Sequence, residues 1–139
     1  MKVLTRKEIL AQRISLPAKW KQAILDVIFR HVPPERCLVF LFGSFARGEA
    51  TGGSDIDIGL WCDPPLTPGI RARLSLALAE DVPFLRAVDL MDLREVRDPD
   101  FLEHILKEAK LWHLGSKCSN ALPDSVRRWL DSEKSCKNP

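Results

Sequence analysis

The chain has 139 residues, and its 21 Lys and Arg stand against 19 Asp and Glu for a formal net charge of +2. That length suits one domain with a modest core, and the near balance of charge argues against a protein that grips long nucleic acid by neutralising phosphates, so nucleic acid is not expected as a direct partner. No apolar run approaches the roughly 20 residues that span a bilayer, and Met1-Lys2-Val3-Leu4-Thr5-Arg6-Lys7 has no uninterrupted apolar signal core, so no membrane partner and a cytoplasmic location are expected.

In chain order, Ser15 and Pro17 signal a helix start, and Trp20, Ala23, Ile24, Val27 and Ile28 recur at helical spacing until Pro33-Pro34 ends the run. The apolar run from Cys37 to Phe42 predicts a buried strand, and Gly43 allows a sharp turn where it ends. A second strand is expected from Asp55 to about Trp61, then a loop punctuated by Pro64, Pro65 and Pro68. A helix follows with Ile70, Leu74, Ala77 and Leu78 on one face, and Pro83 closes it.

Ala87-Val88-Asp89-Leu90-Met91 reads as a third strand, its aspartate an interruption at what looks like a buried position in a central strand. Asp98-Pro99, a capping side chain before a proline at the first helical position, opens a helix with the stripe Phe101, Leu102, Ile105, Leu106 and Ala109. This helix should cover the sheet, and Lys107 and Lys110 near its expected end suit the helix dipole. Leu114-Gly115-Ser116 reads as a break, which gives a domain over 1–114 and a C-terminal extension over 115–139. In the extension, Pro123-Asp124-Ser125 can start a short helix burying Val126, Trp129 and Leu130, with a loose end from Glu133 to Pro139. Trp129 favours a segment that folds back on the domain or meets a partner.

Cys37 and Cys62 fall in or beside predicted strands and Cys118 and Cys136 in the extension, and no pair has zinc-site spacing. His31, His104 and His113 form no metal pattern. Arg71, Arg73 and Arg86 could make a local basic patch, but exposed helix charges are the simpler reading.

The chemistry concentrates in Gly43-Ser44-Phe45-Ala46-Arg47-Gly48 and in Asp55-Ile56-Asp57, with ten residues between Ser44 and Asp55. Ser44 stands where a short helix can begin, and its hydroxyl with the unpaired N–H groups of the first turn makes a donor nest suited to triphosphate oxygens. Arg47, one turn later, could add a charge-assisted contact to phosphate or simply pair with Glu49. On a strand, alternation puts Asp55 and Asp57 on one face and Ile56 and Ile58 on the other, toward the core. Two carboxylates so close raise each other's pKa unless a cation neutralises them, and Mg²⁺ suits hard oxygen ligands shared with substrate phosphates. Asp89 is assigned to the same metal site. Three carboxylates can hold two ions about 3.5 to 4 Å apart, the arrangement that stabilises both the attacking and the leaving oxygen of an in-line displacement at phosphorus. Taken singly, a Gly-Ser turn or an Asp-x-Asp pair is equally a plain turn or cap; their joint spacing, with a third acid after them, carries the functional reading.

Gly43-Ser44-Phe45-Ala46-Arg47-Gly48-Glu49-Ala50 followed by Ser54-Asp55-Ile56-Asp57-Ile58 resembles the signature of the DNA polymerase beta superfamily of nucleotidyltransferases. More narrowly, it resembles the minimal nucleotidyltransferases, small antitoxin partners of HEPN-domain toxins in prokaryotes. The resemblance runs from about residue 20 to 113 and includes Asp89 in its Val-Asp-Leu context. It implies the nucleotidyltransferase fold, an α/β (α+β) domain with a small mixed sheet flanked by helices. It also implies Mg²⁺-dependent transfer of AMP from ATP to a hydroxyl, in the antitoxins a tyrosine of the toxin. Catalytic and metal roles then fall to Asp55, Asp57 and Asp89, and nucleotide binding to Gly43, Ser44 and Arg47. The chain has no tyrosine, so a tyrosine acceptor must belong to another protein. Rival readings are a small-molecule, antibiotic-type nucleotidyltransferase, for which little chain is left to shape an acceptor pocket, an antitoxin that neutralises by binding alone, and a polymerase subunit, which charge and length disfavour.

Overall fold

The computed structural model describes residue 3 and residues 5–118 and 121–137, the side chains of 9, 10 and 134–137 excepted. Its elements are α1 (Arg6–Ala11), α2 (Ala18–Phe29), β1 (Cys37–Phe42), α3 (Gly43–Arg47), β2 (Ile56–Cys62), α4 (Pro68–Glu80), β3 (Val88–Asp92), α5 (Pro99–Glu108), β4 (Lys110–Leu114) and α6 (Asp124–Lys137). The strands lie in the order β3-β2-β1-β4, with β1 antiparallel to β2 and β4, and β2 parallel to β3. This is the expected mixed sheet.

β1 is apolar at every position because both its faces are covered. Cys37, Val39 and Leu41 join Ile24 and Ile28 of α2 and Leu74 and Leu78 of α4 in one core. Leu38 and Phe40 point the other way, into a second core with Ile105 and Leu106 of α5 and Val126 and Leu130 of α6. Gly59 leaves room there, since a side chain at that position would run into the Phe40 ring across the strand pair. Cys37 and Cys62 are register partners on β1 and β2, both buried as free thiols. A hydrogen bond with Cys37, reinforced by burial, pushes the Cys62 thiol pKa far up.

Several expectations change. α5 stops at Glu108, with Ala109 extended, so Lys110 belongs to a fourth strand and not to a helix end. That strand satisfies the backbone groups along the outer side of β1, which a helix could not do. The helix in the extension is longer than expected and runs through Lys137, so 133–137 is helical; 138–139 lie outside the described residues. Val126 and Leu130 are buried and Trp129 half-buried, its ring 5.5 Å edge-on from that of Phe40. α1 was not anticipated.

Two of the three arginines that might have formed a patch, Arg71 and Arg86, are engaged. Arg71 stands 3.7 Å from Asp92 and 3.0 Å from Glu95. Arg86 donates through Nη1 to the carbonyls of Ser54 at 2.7 Å and Gly52 at 3.1 Å, tying the loop that leads into β2. No helix among the described residues is long and apolar enough to cross a membrane.

Candidate active site

The site forms where β1 ends. Gly43 has φ of +75°, in the left-handed region that side-chain-bearing residues avoid. A Cβ there would also collide with Oδ2 of Asp57. Glycine is therefore required twice over: for the turn, and for the carboxylate that fills the space beside it. Ser44 follows in the first turn of α3, half-buried, and Gly48 at φ +74° ends that helix after five residues.

Pairing brings the acids together. Phe42 of β1 is the register partner of Asp57 on β2, and Asp57 is the partner of Asp89 on β3. Ile56 and Ile58 are fully buried in the core on the opposite face, which turns Asp57 outward, half-buried, beside exposed Asp55 and exposed Asp89. Asp55 lies just before β2 and not within it. The expectation of a buried Asp89 in a central strand is corrected: β3 is the edge of the sheet and its aspartate is exposed. The charge is tolerated because water reaches it.

The electrostatics show that these carboxylates feel one another. Burial, then Asp89, then Asp55, pushes the Asp57 carboxyl above the usual carboxylate range, and Arg47 only partly offsets this. Burial followed by the charge of Asp55 pushes Asp89 up as well. Among the described residues no three acids, histidines or cysteines stand together as a ready metal-ligand cluster. Even so, hard oxygen donors on facing register positions, raised in pKa by burial and then by mutual repulsion, are the donor chemistry that a divalent cation such as Mg²⁺ satisfies.

Arg47 is held rather than free. Its Nε donates to Glu49 Oε2 at 3.0 Å and its Nη1 to Glu108 Oε2 at 2.8 Å. These bonds, the one to Glu108 foremost, raise its pKa. Glu108 is the residue that sequence reasoning missed; it lies 61 positions from Arg47, and only the need of a charged side chain for a partner could have hinted at it.

The Polymerase beta, Nucleotidyltransferase family model matches residues 24–114, the stretch that contains every candidate residue. Among solved structures, the chain is similar to a toxin–antitoxin with AMP-PNP at 24% identity and a TM-score of 0.60, covering 84% of this chain and 88% of that one. It is similar to a complex of a tri-AMPylated Shewanella oneidensis HEPN toxin with MNT antitoxin, at 22% identity and a TM-score of 0.54, covering 84% and 85%. A structure assigned as a minimal nucleotidyltransferase is 34% identical with a TM-score of 0.50, covering 65% of this chain and 86% of that one. No curated protein matches significantly. The first two likenesses show a shared fold. With the whole glycine-serine turn and all three acids inside the matched stretch, the chain belongs to the polymerase beta nucleotidyltransferase family.

Proposed function

We propose that this nucleotidyltransferase is the antitoxin of a HEPN-type toxin, that it acts in the cytoplasm, and that it transfers AMP from ATP to a hydroxyl of that toxin, a tyrosine, with Mg²⁺. The observation that carries the reading is the packing of Asp57 against Gly43 while Asp57 faces Asp89 across the β2–β3 pair. The glycine-serine turn and the acids thereby share one end of the sheet. The similar structures support it further, since one holds an ATP analogue and another an AMPylated HEPN toxin.

In this reading Ser44 and the backbone N–H groups of its turn hold the β and γ phosphates. Asp55, Asp57 and Asp89 hold the metal, two ions in the fullest form. Bound magnesium would supply charge neutralisation and alignment of the phosphates. Asp89, exposed on the edge strand, takes the proton of the attacking hydroxyl. The new oxygen–phosphorus bond forms at the α-phosphorus in line with the bond that breaks, and pyrophosphate leaves. Arg47, locked by Glu49 and Glu108, acts as a fixed positive charge near Asp57 and is not a mobile phosphate clamp. With no tyrosine in the chain, the tyrosine that is modified must be in trans.

The test is incubation of the purified protein with α-labelled ATP, Mg²⁺ and the toxin encoded beside it. Label should appear on the toxin, and Asp57→Ala should reduce it by a factor on the order of 10² or more. Undiminished labelling by that variant would remove the acids from the chemistry. Protection of cells by Asp57→Ala despite lost labelling would make binding alone the antitoxic activity.

A further inference from the structure

On the face of the sheet away from the acids, a cavity of about 460 Å³ opens between the segment before α2, the first turn of α2, α3 and the edge strand β4. Leu41 and Phe45 form an apolar floor, Trp112 a wall, and Arg13, Lys21 and Lys110 bring positive charge. Leu41 belongs to the core shared with α2 and α4, whereas Asp57 points to the other side of the sheet, so the two places are distinct.

Three cations line this cavity and no acid does. Among the described residues none of the three takes part in an ion pair. Lys21 Nζ stands 5.8 Å from the Trp112 ring centroid. Arg47, Arg71 and Arg94, by contrast, each stand beside a carboxylate. Unmatched positive charge gathered around an aromatic wall and an apolar floor, in a cavity of ligand size, calls for an anion with an apolar or flat body. The charge decides between anions: one carboxylate brings a single negative charge against three cations, while a phosphate monoester brings nearly two and three strong acceptor oxygens.

We propose that this cavity is a second binding site, for a phosphate monoester with an aromatic body, of which a nucleoside monophosphate is the simplest example. The phosphate lies among Arg13, Lys21 and Lys110, and the ring lies against Trp112. The site stands whichever hydroxyl the acid face serves.

The experiment is calorimetric titration of the full chain in EDTA, which silences metal-dependent binding, with AMP, adenosine and inorganic phosphate as probes. One AMP should bind per chain, adenosine should not bind, and phosphate alone should bind at least tenfold more weakly. Arg13 and Lys110 are exposed, so Arg13→Ala with Lys110→Ala should leave the fold intact by circular dichroism while weakening AMP roughly tenfold or more. Lys110→Arg should keep the affinity, and Asp57→Ala should too. The proposal is overturned if AMP does not bind, if phosphate alone binds as well as AMP, if the double variant binds normally, or if Asp57→Ala abolishes binding.

Discussion

A methyl group at position 43 would meet two obstacles, the φ of +75° and the Asp57 carboxylate. The first is worth roughly 1–2 kcal/mol for an L-residue, and the second is relieved only by moving Asp57 away from its place opposite Asp89. Gly43→Ala should therefore lower the denaturation midpoint modestly and abolish transfer, whereas Gly53→Ala, where a Cβ meets nothing within 4 Å, should change neither much. Parallel urea melts and labelling assays separate the two effects. At the acids the sign of the pH dependence follows from the raised pKa values of Asp57 and Asp89. The folded state holds protons more tightly than the unfolded chain. Without divalent cations, stability should then be fullest at or below the ordinary carboxylate pKa and fall as pH rises through the raised values. Asp57→Asn should flatten that decline and stabilise the metal-free protein near neutrality. Melts in EDTA across about pH 4 to 8 measure the slope, and a slope unchanged in the variant would rule out Asp57 as its source.

At the scale of elements, α6 closes the second core with Val126 and Leu130 against Phe40 and Ile105. Leu130→Ala should cost about 2–4 kcal/mol, read as a drop in ΔG of unfolding, while Arg128→Ala, an exposed partner of Glu103 at 3.7 Å, should cost less than about 1 kcal/mol. Legibility in the sequence follows the same division. The strands β1 to β3, the helices α2, α4 and α5 and the Asp98 cap were readable because periodicity and caps are local signals. The alternation that puts Ile56 and Ile58 in the core and Asp57 opposite them was readable for the same reason. β4 was not, because Lys110-Leu111-Trp112-His113-Leu114 is short and adjoins a helix, and becomes a strand only where the outer side of β1 needs partners. The exposure of Asp89 depends on strand order, and the Arg47–Glu108 bond on how α3 meets α5; neither is written in any local stretch of sequence.

For the molecule as a whole, two cores share one sheet, and β1 contributes to both on alternate residues. Loss of either should unseat the other, so the described body should unfold as one cooperative unit. Far-ultraviolet circular dichroism and the fluorescence of Trp61, which is buried in the second core, should give coincident urea transitions; an early separate loss of helix signal would make α6 an independent unit. The paired thiols of β1 and β2 turn this cooperativity into a clock. Cys37 and Cys62 are shut away from solvent, and Cys62 resists forming the thiolate that reacts. In a background carrying both Cys118→Ser and Cys136→Ser, an alkylating reagent should reach them only when the centre of the sheet comes apart, so the rate at which they are modified counts openings of the whole fold.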